Sequence, residues 1–165
     1  MSQVKKILCP IDFSEATDFV TEFAAATAEA FQAELILLYV APRMNRYADL
    51  YVPVQDLTKV VESVVSGAKE KMQTLLGSAF KHVQASGRVV VGYAPEDILV
   101  AAEKENVDLI VMGTHGRRAL DRIIFGSVAE KVSKNARIPV LMVRPARKTE
   151  SLSDAPYEPV LVNRG

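Results

Sequence analysis

Five short apolar runs, almost unbroken and separated by longer stretches with helical spacing, constrain this chain more than any other feature. The first lies in Val4 to Ile11 and contains Ile7-Leu8-Cys9-Pro10-Ile11. Leu35 to Val40 reads LILLYV, and a run starting near Val83 ends in Val89-Val90-Val91. Val107 to Met112 reads VDLIVM, and Pro139 to Val143 reads PVLMV. Strands with one wet face alternate apolar and polar residues. Near-continuous runs suit strands buried on both faces, the pattern of a parallel sheet.

The intervening segments carry the helical period. Ala16, Phe19, Val20, Phe23, Ala24, Thr27 and Phe31 share one face and are expected to point inward. Leu57, Val61, Val64, Ala68, Met72, Leu75 and Ala79 mark a longer second helix. Pro95 suits the first turn of a third, with Ile98, Ala101, Ala102 and Glu105 behind it. The fourth is predicted from about Ser127 to Ala136, with Val128, Val132 and Ala136 inward. The order β-α-β-α-β-α-β-α-β implies a doubly wound α/β domain: one five-stranded parallel sheet, right-handed crossovers and helices on both faces. Residues 1–145 are expected to form this domain. Two stretches stand apart: a long connection over residues 41–56, and a tail over residues 146–165 to which no role is assigned.

Composition excludes several functions. Twenty Lys+Arg balance twenty Asp+Glu. This gives no general attraction to nucleic acid or to an acidic membrane. Cys9 is the single cysteine, so no intramolecular disulfide or multi-cysteine metal site is available. No apolar run approaches the ~20 residues of a membrane span. Asp12 ends the first apolar run after five residues, short of the about 7–15 in an export signal. The expected compartment is the cytoplasm.

Ligands of open α/β sheets bind beyond the carboxyl ends of the strands, where strand order reverses. The residues after the fourth run carry the clearest chemistry. Gly113 and Gly116 stand three apart, nine residues intervene, and Gly126-Ser127 opens the last helix. A phosphate needs converging backbone N–H groups with no side chain in the way, and a helix N-terminus supplies unpaired donors and a partial positive charge. The Ser127 hydroxyl adds a further donor. Asp12, after the first strand, is placed to accept hydrogen bonds from a ribose and to cap the first helix with Glu15 in a capping box, two compatible roles. Val40, ending the second strand, offers an apolar wall for a base.

These segments resemble the universal stress protein family, specifically its ATP-binding branch. The resemblance spans about residues 3–145 and rests on ILCPIDFS at 7–14, Gly92-Tyr93-Ala94-Pro95 with Ile98, DLIVMGTHG at 108–116, GSVAEKV at 126–132 and PVLMV at 139–143. The family's nucleotide signature, G-x2-G-x9-G-[ST], is matched by Gly113, Gly116, Gly126 and Ser127. The resemblance implies that Pro10, Asp12, Val40 and Met112 surround adenine and ribose. It implies that Gly113, Gly116, Gly126, Ser127 and Val128 contact phosphate and ribose. It further implies strand order 3-2-1-4-5, ATP with Mg2+ or Mn2+ held mainly by the phosphates, and a homodimer through the edge strand at 139–143.

The function expected from this is nucleotide-dependent regulation in a stress response. The alternative is a slow ATPase or a nucleotidyl-transferring enzyme using the same site. Against it, the sequence has no G-x4-G-K-[ST], H-x-G-H or S-G-G-x-D-S loop, and no evident general base. A phosphorylated-aspartate switch needs an acidic pair after strand 1 and an aspartate after strand 3. The chain has Asp12 alone at the first and Gly92-Tyr93 at the second. Ser14 and Ser127 lack a His/Asp constellation, His82 and His115 lack further metal ligands, and Arg117, Arg118 and Arg122 read as a solvated spacer or as phosphate-steering charges.

Overall fold

The computed structural model describes residues 3–43, 54–114 and 126–144, with side chains from residue 57 onward in the second segment. Its elements are β1 (Lys6–Ile11), α1 (Thr17–Phe31), β2 (Glu34–Pro42), α2 (Val54–Ala79), β3 (Ala85–Gly92), α3 (Ala94–Lys104), β4 (Leu109–Gly113), α4 (Ser127–Asn135) and β5 (Val140–Val143). The five strands form one sheet in the order β3-β2-β1-β4-β5, and every pairing is parallel. This is the doubly wound sheet expected from the sequence. Among the described residues no helix is long and apolar enough to cross a membrane.

Two apolar clusters sandwich the sheet. On one face Ile7, Cys9, Leu35, Leu37 and Val111 meet Val20, Ala24 and Ala28 of α1, and Ala68 and Met72 of α2. On the other, Leu8, Ile36, Leu38, Ile110 and Met112 meet Ile98 and Ala102 of α3, and Ala129 and Val132 of α4. Successive strand residues therefore enter opposite clusters, the period of a strand buried on both sides. Asp108 fastens the start of the sheet: one carboxylate oxygen accepts the backbone N–H groups of Lys5 at 2.8 Å and Lys6 at 3.0 Å.

Helix α1 corrects the expected inward face. Thr17, Val20, Thr21, Ala24 and Ala28 are its buried residues. Phe19, Phe23 and Phe31 are 41%, 43% and 46% exposed, so three of the residues assigned inward stand outside. The reason is steric: small alanines let the helix approach β1 and β4, and phenylalanines would hold it off. Thr21 is tolerated on the buried side because its hydroxyl donates to Thr17 O at 2.9 Å.

Cys9 is fully buried in β1, and burial pushes its thiol up to about 12. The thiolate is the reactive form, so Cys9 is inert in the native state. An aromatic disulfide reagent at pH 8 is expected to titrate no thiol in folded protein and one in denaturant. Rapid native labelling would contradict the packing described.

Candidate functional site

The sheet opens at its centre. Strands β1 and β4 pair at Ile7↔Leu109 and Leu8↔Ile110, and the register ends there. The outer pairs run further: β1 stays with β2 to Ile11↔Tyr39, and β4 stays with β5 to Gly113↔Val143. The carboxyl ends of β1 and β4 thus lose their mutual pairing where the sheet order reverses. Pro10 contributes locally, since it has no N–H to donate to a neighbouring strand.

Strand parity brings the expected pocket residues to one side. Met112 is buried in the α3/α4 cluster, with Val40 and Val128 packed against it. Pro10, half-buried and two residues beyond Leu8, has the same parity. Residues from β1, β2, β4 and the first turn of α4 therefore converge on the α3/α4 face at the carboxyl edge.

The β4 end and the α4 start are joined directly. Gly126 donates its N–H to Thr114 O at 2.8 Å, and Thr114 donates its own to Val143 O at 3.0 Å. Gly113 and Gly126 are thereby drawn together across twelve intervening positions. Gly126 is the N-cap of α4 at φ −60°, ψ 149°, without a side-chain cap hydrogen bond. The amide groups of Ser127, Val128 and Ala129 have no partner within the helix, as in the first turn of any helix. They form a row of donors at the positive end of the dipole. None of the described glycines has positive φ. Left-handed backbone is therefore not what calls for glycine at Gly113 or Gly126. Gly116, His115, Arg117, Arg118 and Arg122 lie outside the described residues.

Asp12 does not cap α1. That helix starts at Thr17 with Ala16 as N-cap and no side-chain cap hydrogen bond, so the Asp12–Glu15 capping box does not form. The Asp12 carboxylate instead accepts the Ser14 N–H at 3.0 Å. Phe13, between them, holds φ at 56°, a left-handed conformation uncommon for a bulky residue. Its ring is fixed against Tyr39, with centroids 5.0 Å apart. Ring packing below and the Asp12 turn above stabilise this backbone, and strain of this kind concentrates at functional sites. Sequence spacing gave no signal for it, because a left-handed phenylalanine has no composition cue.

Nor did spacing reveal the Tyr93 cluster. Tyr93 follows β3, and its N–H donates to the Asp97 carboxylate at 2.6 Å. A Cβ on Gly92 would collide with that carboxylate, so any other residue there would displace the Asp97 side chain from the Tyr93 N–H. From α4, Lys131 donates to the Tyr93 hydroxyl at 2.5 Å, with its Nζ 5.1 Å from the ring centroid. Elsewhere, a groove of about 640 Å³ runs between α1 and the end of α2, lined by Asp18, Glu22, Glu29, Phe80, Lys81 and His82. It lies on the α1/α2 side, away from the convergence just described. Among the described residues no group of three or more His, Cys, Asp or Glu side chains is placed to hold a metal ion.

Comparison with known proteins decides the family. Residues 3–144 match the family model described as "Universal stress protein family".

This chain belongs to the universal stress protein family.

Its relatives include the universal stress protein MJ0531 of Methanocaldococcus jannaschii, 34% identical over 149 residues that cover 87% of this chain and 84% of the relative. Universal stress protein MJ0577 of the same organism is 33% identical over 153 residues, covering 85% and 94%. The solved structure of MJ0577 superposes with a TM-score of 0.75 at 31% identity, covering 89% of this chain and all of that one. A universal stress protein from Archaeoglobus fulgidus, solved in complex with dAMP, shares the fold at 23% identity and a TM-score of 0.59, covering 86% and 98%.

Proposed function

We propose that this universal stress protein binds ATP at the opening between β1 and β4 and acts as a nucleotide-dependent regulatory protein. One observation carries the reading: the Gly126 N–H bond to Thr114 O, which sets the uncapped first turn of α4 beside Gly113. The site so formed suits an anion with several oxygens. In this reading Pro10, Val40 and Met112 pack on adenine, and Asp12 accepts the ribose hydroxyls. Gly113, Gly116, Gly126, Ser127 and Val128 serve phosphate and ribose, and a divalent Mg2+ or Mn2+ is carried mainly by the phosphates. The dAMP complex of the Archaeoglobus fulgidus protein supports a nucleotide as the ligand class for this fold. Calorimetric titration with Mg-ATP is expected to show one site per chain. Absence of heat and of competition up to millimolar ATP would refute the assignment.

The regulatory part of the reading includes a homodimer through β5. This strand is a sheet edge, and Leu141 on it is 36% exposed. An apolar edge of this kind needs cover. Sedimentation is expected to give a dimer at micromolar concentration and a monomer for Leu141→Arg. A monomeric wild type would contradict the pairing.

A further inference from the structure

Lys131 is the fifth of the nine residues of α4 and carries a cation near its first turn. It lies one turn after Ser127, on the same side of α4, and helical side chains run back toward the N-terminus. Four residues of rise amount to about 6 Å, which a lysine stem spans. Extended in that direction, the ammonium has the reach to meet an anion held at the first turn.

Its partners do not offset this charge. Tyr93 supplies a neutral hydroxyl at 2.5 Å and the edge of its ring. The adjacent carboxylate of Glu130 is taken by Lys134 at 2.6 Å, in an ion pair one turn further from the helix start. That hydrogen bond and charge hold the Glu130 carboxyl below the ordinary range, with a smaller contribution from Lys131. Among the described residues no carboxylate lies within ion-pair distance of Lys131. A lysine engaged by a neutral phenol, one turn after the start of a helix, is poised for an anion that arrives from outside.

Resting on the nucleotide reading above, we infer that Lys131 is a phosphate-reading residue of the site, held ready by Tyr93, which selects nucleoside polyphosphates over nucleosides. When a polyphosphate occupies the α4 terminus, the ammonium turns from the Tyr93 hydroxyl to a phosphate oxygen. It adds charge to donors that are otherwise backbone amides. The contribution depends on phosphate and is absent for adenosine.

The test compares ATP and adenosine on wild type, Lys131→Met and Lys131→Arg by competition against a fluorescent ATP analogue. Lys131 is exposed, so both variants are expected to melt as wild type does. Lys131→Met should weaken ATP about tenfold, the scale of one partly exposed charge-assisted contact, and leave adenosine within about twofold. Lys131→Arg should stay within about threefold of wild type for ATP, since the charge and reach are kept. Equal weakening of ATP and adenosine, or no change in either, would overturn the inference while leaving the nucleotide site standing. A wild type that binds neither ligand overturns the nucleotide reading and this inference with it.

Discussion

Replacing Gly126 by valine is expected to abolish ATP binding and leave the fold intact. The backbone at Gly126 sits at φ −60°, ψ 149°, which any residue adopts, so valine adds no left-handed strain. The N–H bond to Thr114 O survives because it uses backbone alone. What changes is access. A branched side chain at the N-cap stands over the amides of Ser127, Val128 and Ala129, where phosphate oxygens approach. Hydrogen bonds to a charged group contribute about 1.5–3 kcal/mol each, so losing two costs at least about 100-fold in affinity. Gly113→Val should act alike from the strand side, since valine suits a strand end. Calorimetry with Mg-ATP, alongside thermal melting, reads both effects. Unchanged affinity in both variants would move the phosphates elsewhere.

The largest expected loss of stability comes from Leu8→Ala. Leu8 is fully buried in the α3/α4 cluster and pairs with Ile36 on one side and Ile110 on the other. It is also the last residue of β1 in register with β4, just below the opening. Truncation leaves a cavity between both neighbouring strands and the helix layer. The expected cost is about 2–5 kcal/mol, a large part of the roughly 5–15 kcal/mol that holds a typical domain. Urea unfolding should show a lower midpoint with an unchanged slope, because the surface exposed on unfolding is the same. If ATP binds the native state alone, saturating Mg-ATP restores part of the loss. A midpoint within error of wild type would mean that Leu8 is not the packing centre described.

Much of the fold was legible in the residues, and the reasons are physical. Strands buried on both faces write themselves as apolar runs, so all five were visible, with ends displaced by a residue or two at Lys6, Pro42 and Gly113. Pro95 and Gly126 marked the starts of α3 and α4 because each suits its place for a local reason. Strand order was a different matter. Apolar runs carry no record of their neighbours, and the order 3-2-1-4-5 came from the resemblance. The face of α1 misled because periodicity marks an apolar stripe without saying which flank touches the sheet. Ala24 and Ala28 won the close contact, and Phe19 and Phe23 were left outside.

The site shows the same division. Spacing singles out Gly113 and Gly126-Ser127 as candidates, and a backbone hydrogen bond from Gly126 to Thr114 joins their two segments. Thr114 accepts that bond through its carbonyl, a group every residue carries, so its residue type gives no sign of it. Asp12 was readable as a polar residue at a strand end, but its partner was not. Phe13 is left-handed and α1 starts only at Thr17 with Ala16 as its N-cap, so Asp12 is not at the capping position. Lys131 and Tyr93 are 38 residues apart and meet only when α3 and α4 pack side by side.

Backbone amide resonances test the central claim most directly, because the proposed phosphate donors are themselves amides. A nitrogen-15 labelled sample titrated with Mg-ATP should show its largest shifts at Gly113, Gly126, Ser127, Val128 and Ala129, with smaller ones at Asp12 and Val40. Shifts confined to Asp18, Glu22, Lys81 and His82, in the groove between α1 and α2, or no shifts at all, would contradict it.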